Sequence, residues 1–213
     1  MEDIRYVEPE GVIAPVLHHI NLKTTRKDEM IAWYRTVCGM KVNYDSPFGA
    51  FLTNDRANHR IALLAPPGLE PDTERRTHDG LHHSAFEYAS LEDLDASYRR
   101  MRDEGIEPLL CVNHRNTISY YYEDPDGNLV ELQCDAFGDW EESTAWMKKE
   151  LMEITEHQLG VVIDPALVSV DVLTGVPMEQ IQARSEEGRY HWDGEPDLRL
   201  PAPPPGAPEM FKR

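Results

Sequence analysis

Residues 16–22 read VLHHINL and residues 80–86 read GLHHSAF, so a Leu-His-His triplet recurs at 17–19 and 81–83, an offset of 64 residues. The segments downstream of the two copies also match. After the first, Thr25 stands where a helix cap is needed. Met30, Trp33, Tyr34 and Val37 then fall at i, i+3, i+4 and i+7, an amphipathic stripe that Gly39 ends. After the second, Ser90 and Asp93 have a capping-box-like spacing, Leu94, Tyr98 and Met101 continue one helical face, and Gly105 ends it. Three short strand-like runs come next in each copy, near 41–46, 50–54 and 60–65 in the first and near 107–113, 117–123 and 128–134 in the second. Turn residues separate them: Ser46-Pro47, Asn54-Asp55, a cluster at 113–116, and Asp124-Pro125-Asp126-Gly127-Asn128. A chance repeat of three letters does not predict that order of strand, helix, glycine stop and three strands. The pattern reads as a duplicated βαβββ unit.

This places the chain in the α+β class. The expected organisation is an N-terminal extension over 1–14, a first module over 15–70, a second over 78–136, a helical C-terminal extension over 137–193 and a Pro-rich tail over 194–213. Residues 139–158 read as a helix with Trp140, Met147, Leu151 and Ile154 on one face and Gly160 after it, and a further helix is expected after Pro177. The tail, EPDLRLPAPPPGAPEMFKR, has the composition of an extended, mobile end.

The balance of 21 Lys and Arg against 39 Asp and Glu, a net charge of −18 over 213 residues, argues against nucleic acid and against an anionic membrane surface. No run approaches the roughly 18 consecutive apolar residues of a membrane span. Residues 1–16 carry neither a basic region nor a long apolar run, so no secretory leader is expected. Cys38, Cys111 and Cys134 are odd in number and lack CxxC spacing, which fits a reducing cytoplasm better than a disulfide framework.

The histidines carry the chemistry. There are nine, and four of them, His18, His19, His82 and His83, open predicted strands among apolar neighbours. A buried imidazole needs a partner for each ring nitrogen, and a metal ion can be one of them. Because side chains alternate faces along a strand, the equivalent pair is either His18 with His82 or His19 with His83, and alternation alone leaves both open. Glu131 sits in NLVELQC, an apolar strand where an unpaired carboxylate is costly. Singly, each histidine reads as a hydrogen-bonded imidazole and Glu131 as a water-facing carboxylate. Together they form the two-His, one-carboxylate set associated with mononuclear non-haem iron.

The paired units resemble the vicinal-oxygen-chelate superfamily. Within them, residues 112–131 (VNHRNTISYYYEDPDGNLVE) are similar to the signature of type I extradiol ring-cleavage dioxygenases: a His, a Tyr, an Asp-Pro-x-Gly turn and a Glu, here His114, Tyr121, Asp124 to Gly127, and Glu131. Tyr120 departs from the aliphatic residue or Phe usual before that Tyr. The resemblance covers about residues 15–135. It implies a barrel-like sheet made by the paired modules. It selects His19 and His83, each directly before an apolar-x-apolar continuation (HINL, HSAF), to hold Fe(II), or Mn(II), together with Glu131. It further implies a catechol and dioxygen as substrates in the breakdown of aromatic hydrocarbons, with Tyr121 and His114 bonding the catechol and His59, in NHRIAL, as a nearby acid/base. Members of this fold often pair, so a homo-oligomer is expected.

Other members of the fold are the rivals. Glyoxalases and epimerases draw a fourth ligand from the last strand of the first unit, here RIALLA at 60–65, which has no acidic or amide side chain. Thiol-transferring resistance proteins share the ligand set but are typically shorter. A drug-sequestering binding protein needs a groove and none of these donors. Arg60 and Arg115 lie near candidate pocket segments, where either could meet a substrate carboxylate or stay solvated.

Overall fold

The duplication is visible in the computed structural model, which describes residues 11–202 and 204–212; most of the expected N-terminal extension, residues 1–10, lies outside the described residues. The first unit runs β1 (Ile20–Lys23), α1 (Lys27–Cys38), β2 (Lys41–Ser46), β3 (Gly49–Thr53) and β4 (Ile61–Leu64). The second repeats it as β5 (His83–Tyr88), α2 (Leu91–Asp103), β6 (Leu110–Asn113), β7 (Thr117–Glu123) and β8 (Leu129–Asp135). After these come α3 (Trp140–Lys149), β9 (Val161–Val162), α4 (Pro165–Leu173) and α5 (Met178–Glu186). No helix among the described residues is long and apolar enough to cross a membrane.

Each unit makes its own sheet, in the orders β1-β4-β3-β2 and β5-β8-β7-β6-β9. In both, the first strand pairs parallel with the last, because a helix carries the chain back between them, and the remaining neighbours are antiparallel. The two sheets are not closed into a barrel. They are joined through the helices instead: the Tyr34 hydroxyl of α1 donates to Asp124 Oδ2 in the β7–β8 turn at 3.3 Å.

The local signals act largely as read. Gly39 ends α1 at φ 64°, in the left-handed region that favours glycine. Ser90 caps α2, its Oγ accepting from the Asp93 N–H at 3.2 Å. Thr25 does not cap α1. The capping position falls to Arg26, whose N–H donates to Thr24 Oγ1 at 2.8 Å, and Asp28 and Glu29 supply the first turn with negative charge.

Register then divides each sheet into two faces. In the second sheet, Leu110, Tyr121, Glu131 and Ala85 stand side by side across β6, β7, β8 and β5. The neighbouring rows, Val112–Ser119–Gln133–Glu87 and Glu123–Leu129–His83, point the same way. The opposite face carries Cys111, Ile118, Tyr120, Tyr122, Val130, Leu132 and Cys134, which join Leu94, Tyr98 and Met101 of α2 in the main core. In the first sheet, Leu22, Leu52, Ile61 and Leu63 join Met30, Tyr34 and Val37 of α1 in that same core. Asn21, Ala62, Phe51 and Tyr44 form a row on the outer face.

The C-terminal extension departs from expectation in two respects. The helix expected over 139–158 stops at Lys149, and a short 3-10 turn at Leu151–Glu153 comes after it. Its expected apolar face is largely exposed, Trp140 by 70% and Met147 by 41%, and the one buried residue of α3 is Ser143. The tail is extended but docked. Lys212 N–H donates to Gly160 O at 2.8 Å, Leu159 N–H to Met210 O at 2.9 Å, and Val162 N–H to Lys212 O at 2.8 Å.

Candidate active site

The two faces turned away from the helices carry the predicted donors. Ile20 and Leu22 belong to the core face of β1, so the alternation continued backwards puts His19 on the outer face with Asn21. In β5, buried Ser84 faces inward and His83 faces outward with Ala85 and Glu131. His19 and His83 thus stand at equivalent places in the two modules, one residue before Ile20 and at the start of β5.

Glu131 reaches this face through the turn before it. Asp124 is buried and accepts from the N–H of Asp126 at 3.0 Å, the N–H of Asn128 at 2.8 Å and the Asn128 side-chain amide at 2.7 Å. Gly127 adopts φ 82° in this turn. Burial raises the Asp124 pKa above its ordinary value, against the Asn128 hydrogen bonds that pull it down. The turn starts β8 in the register that sets Glu131 opposite Tyr121 and next to Ala85.

The resulting contacts form a chain. His83 Nε2 lies 3.1 Å from Glu131 Oε2, and Glu131 is only 6% exposed. The Tyr121 hydroxyl lies 2.9 Å from Glu131 Oε1 and 2.9 Å from His114 Nε2. His114 Nδ1 bonds the Leu159 carbonyl at 2.5 Å. On the other side, His83 Nδ1 lies 2.8 Å from His82 Nδ1, and His82 Nε2 bonds the Leu198 carbonyl at 2.9 Å.

Both ends of the chain are carbonyls, which only accept, and this fixes the protons inward. His82 carries its proton on Nε2, so its Nδ1 accepts from His83 Nδ1–H. The lone pair of His83 Nε2 therefore faces Glu131. Burial pulls the Glu131 carboxyl up, but a proton held between it and His83 Nε2, with hydrogen bonds from Ser119 and Tyr121, outweighs burial and brings the pKa below the ordinary value. A ring lone pair and a carboxylate oxygen thus face each other at 3.1 Å, an arrangement stable only with a proton or a metal cation between them. The donor set fits a divalent transition metal, and the His83 N–H donated to His82 is the outer partner that metal-binding imidazoles normally have.

Tyr121 has one hydroxyl proton for two acceptors, His114 Nε2 and Glu131 Oε1. Burial and the adjacent Glu131 carboxylate raise the phenol's pKa, and burial lowers that of His114, so both stay neutral near pH 7.

His19 lies apart from this chain. Among the described residues, the one trio whose donor atoms all lie within 4.8 Å of one another is His18, His19 and His59. His18 Nδ1 and His19 Nδ1 are 3.0 Å apart, the rings of His19 and His59 are 4.4 Å apart, and His59 stacks on Phe51 at 4.5 Å. Burial, with His19 and His18 adjacent, lowers the His59 pKa. Arg60 is held by Asp55 at 2.7 Å and Arg115 by Glu186 at 2.8 Å, so neither guanidinium is free for a substrate. β4 offers only Ile61, Ala62, Leu63 and Leu64, with no fourth donor. Sequence reasoning missed His82 as a partner of His83, and it missed Leu159 and the tail residues that close the site.

The profile of the Glyoxalase/Bleomycin resistance protein/Dioxygenase superfamily matches residues 16–132. The chain is 40% identical over 173 residues to biphenyl-2,3-diol 1,2-dioxygenase 3 of Rhodococcus globerulus, covering 81% of this chain and 90% of that protein. It is 37% identical over 188 residues to biphenyl-2,3-diol 1,2-dioxygenase 2 of the same organism, covering 88% and 95%. Among solved structures, a glyoxalase/dioxygenase from Nostoc punctiforme aligns with a TM-score of 0.47 at 22% identity over 60% of this chain and 99% of its own.

Proposed function

The chain belongs to the glyoxalase/bleomycin resistance protein/dioxygenase superfamily, and from that membership we propose that it cleaves a catecholic aromatic ring with dioxygen, beside rather than between the two hydroxyls. The observation that carries the reading is the His83–Glu131 pair, a buried carboxylate facing an imidazole lone pair with Tyr121 and His114 aligned behind it. The two named relatives act on biphenyl-2,3-diol, which makes that diol the first substrate to test.

In this reading His19, His83 and Glu131 hold Fe(II), with Mn(II) accepted by the same donors. The bound metal would bring diol and dioxygen together and pass electron density from one to the other. The chain's own residues supply position and protons. Tyr121 donates its hydroxyl proton to a diol oxygen or keeps it shared between Glu131 and His114. His114, with Nδ1–H fixed on Leu159 O, offers Nε2 as acceptor for a proton leaving the diol. His59, neutral near pH 7, takes up or returns a proton on the side of His19. Three buried, unpaired cysteines, Cys38, Cys111 and Cys134, support a cytoplasmic setting, and we expect a homo-oligomer.

The test is anaerobic. The protein is loaded with Fe(II), mixed with biphenyl-2,3-diol, and oxygen is then admitted while the visible spectrum and oxygen uptake are monitored. The expected result is a yellow ring-fission product with one dioxygen consumed per diol. Iron that binds without any oxygen uptake, across mono- and bicyclic catechols, would overturn the reading.

A further inference from the structure

The face that carries the site is covered by a part of the chain outside the duplicated units. Leu110, Val112, Tyr121 and Val162 form an apolar cluster separate from the main core, and Trp192, Leu198 and Phe211 pack on it. Tyr121 belongs to both neighbourhoods. Its hydroxyl meets Glu131 and His114, and its ring lies in the cluster. The tail therefore brings three large apolar side chains against the ring whose hydroxyl meets Glu131 and His114.

The tail is fastened. Asp197 pairs with Arg76 and with Arg199 at 2.8 Å each, and Arg199 pairs with Glu123, itself on the site face of β7, at 2.5 Å. Arg199 adopts φ 56°, a left-handed backbone unfavourable for its long side chain, which these ion pairs hold in place. The Leu198 carbonyl bonds His82, the partner of His83. Despite this anchoring, Trp192, Leu198 and Phe211 are only half-buried. Large apolar side chains fixed beside a polar site and left partly open are the usual lining for the apolar part of a ligand.

We propose that Trp192, Leu198 and Phe211 seat the ring substituent of the aromatic diol, which makes this C-terminal strap a specificity element for diols carrying a second aromatic ring. The inference rests on the ring-cleavage reading. An aromatic substituent gains edge or offset contacts with Trp192 and Phe211, whereas unsubstituted catechol has no group to place there.

The experiment measures binding without turnover. Dissociation constants of biphenyl-2,3-diol and of catechol are measured by calorimetry on the iron-loaded protein under strict exclusion of oxygen, for the natural chain and for Phe211→Ala, Leu198→Ala and Trp192→Ala. Leu198→Ala keeps the backbone carbonyl that bonds His82. The expected result is a rise of about tenfold or more in the biphenyl-2,3-diol constant and a several-fold smaller rise for catechol. Should Phe211→Ala loosen the tail, Phe211→Leu keeps apolar packing without the ring and is expected to show the same selective loss at reduced size. Equal losses for both diols, or no loss for biphenyl-2,3-diol, overturn the seat while leaving ring cleavage intact. A natural chain that binds neither diol overturns the ring-cleavage reading, and the seat falls with it.

Discussion

His19 and His83 occupy equivalent places in the two modules, yet their surroundings differ. Across the parallel pair, Ala85 stands beside Glu131 in the second module, and Asn21 stands beside Ala62 in the first. Ala62 thus holds the place that Glu131 holds in the copy. Around it, Phe51 is 39% exposed, Tyr44 52% and Leu64 44%, whereas in the second module Leu110, Val112 and Tyr121 are buried under the tail. Duplication supplied the histidine twice. The carboxylate and its water-excluding cover came with only one copy, because the extension comes after the second module and folds back through β9 onto its sheet. Under the proposed metal site, Glu131 would be the one carboxylate that His19 and His83 share.

The largest test of this asymmetry is Glu131→Ala. It should remove stable metal binding and ring cleavage, a loss well beyond the roughly 100-fold that an outer partner's removal costs. His18→Ala should change metal affinity by no more than a few-fold. Metal content after dialysis, measured on both variants, checks this. Should His18→Ala cost as much as Glu131→Ala, the first-module trio of His18, His19 and His59 holds the metal and the comparison is broken.

Two glycines sharpen the same contrast. A Cβ on Gly160 would stand 2.1 Å from the Asn113 carbonyl oxygen and 2.9 Å from His114 Cα, and Gly160 has φ 107°. Gly160→Ala must push β9 from β6 and disturb His114, at a cost of about 3 kcal/mol with reduced turnover. Gly39, at φ 64°, meets nothing within 4 Å. Gly39→Ala carries only the conformational penalty, about 1 kcal/mol, with activity kept. Urea unfolding separates the two.

Smaller again is removal of residues 197–213. It uncovers the second module's site face and takes away Leu198 and Phe211, worth about 2–3 kcal/mol at half burial, so the melting temperature should fall by about 5–10 °C. A change below about 1 °C would restore the sequence-based picture of a tail without a packing role.

The contrast also separates what could be read in the sequence from what could not. Met30, Tyr34 and Val37 announced α1 because helical spacing and burial coincide, and the Asp124 turn announced the start of β8, the strand that carries Glu131. These signals are local. The tail's contacts are not: Leu198 and Phe211 meet β6, β7 and β9 from far along the chain, without periodicity, and the prolines around them report a lack of regular hydrogen bonding rather than a lack of packing. The α3 face misled for a related reason. Trp140 satisfies its indole N–H on Glu87 at 3.0 Å and lies 70% exposed, so its apolar surface reported no core. His82 was read only as the unused member of a pair, since its tie to the Leu198 carbonyl depends on the fold-back.

The smallest expected effect concerns acid. Asp171 in α4 accepts from the Tyr190 hydroxyl at 2.6 Å and pairs with Arg184 at 2.6 Å, and these contacts hold its pKa below the ordinary value. In the first module, Arg60 chiefly, with the Ala57 N–H and Thr53, does the same for Asp55. A carboxyl with a lowered folded pKa binds fewer protons than the unfolded chain between the two values, so stability rises with pH there. Each contribution is complete above the ordinary Asp value of about 4 and is lost as pH falls through the folded value. Tyr190 leads into the tail, so Asp171→Asn should loosen the second module's cover, whereas Asp55→Asn acts only on the open face of the first. Both should lower the melting temperature by about 1–2 °C at pH 7 and by nothing once pH is below both carboxyl values. Only Asp171→Asn should shift the fluorescence of Trp192. An equal shift from Asp55→Asn would mean that the two faces are coupled, and that the tail answers to the whole molecule rather than to the module it covers.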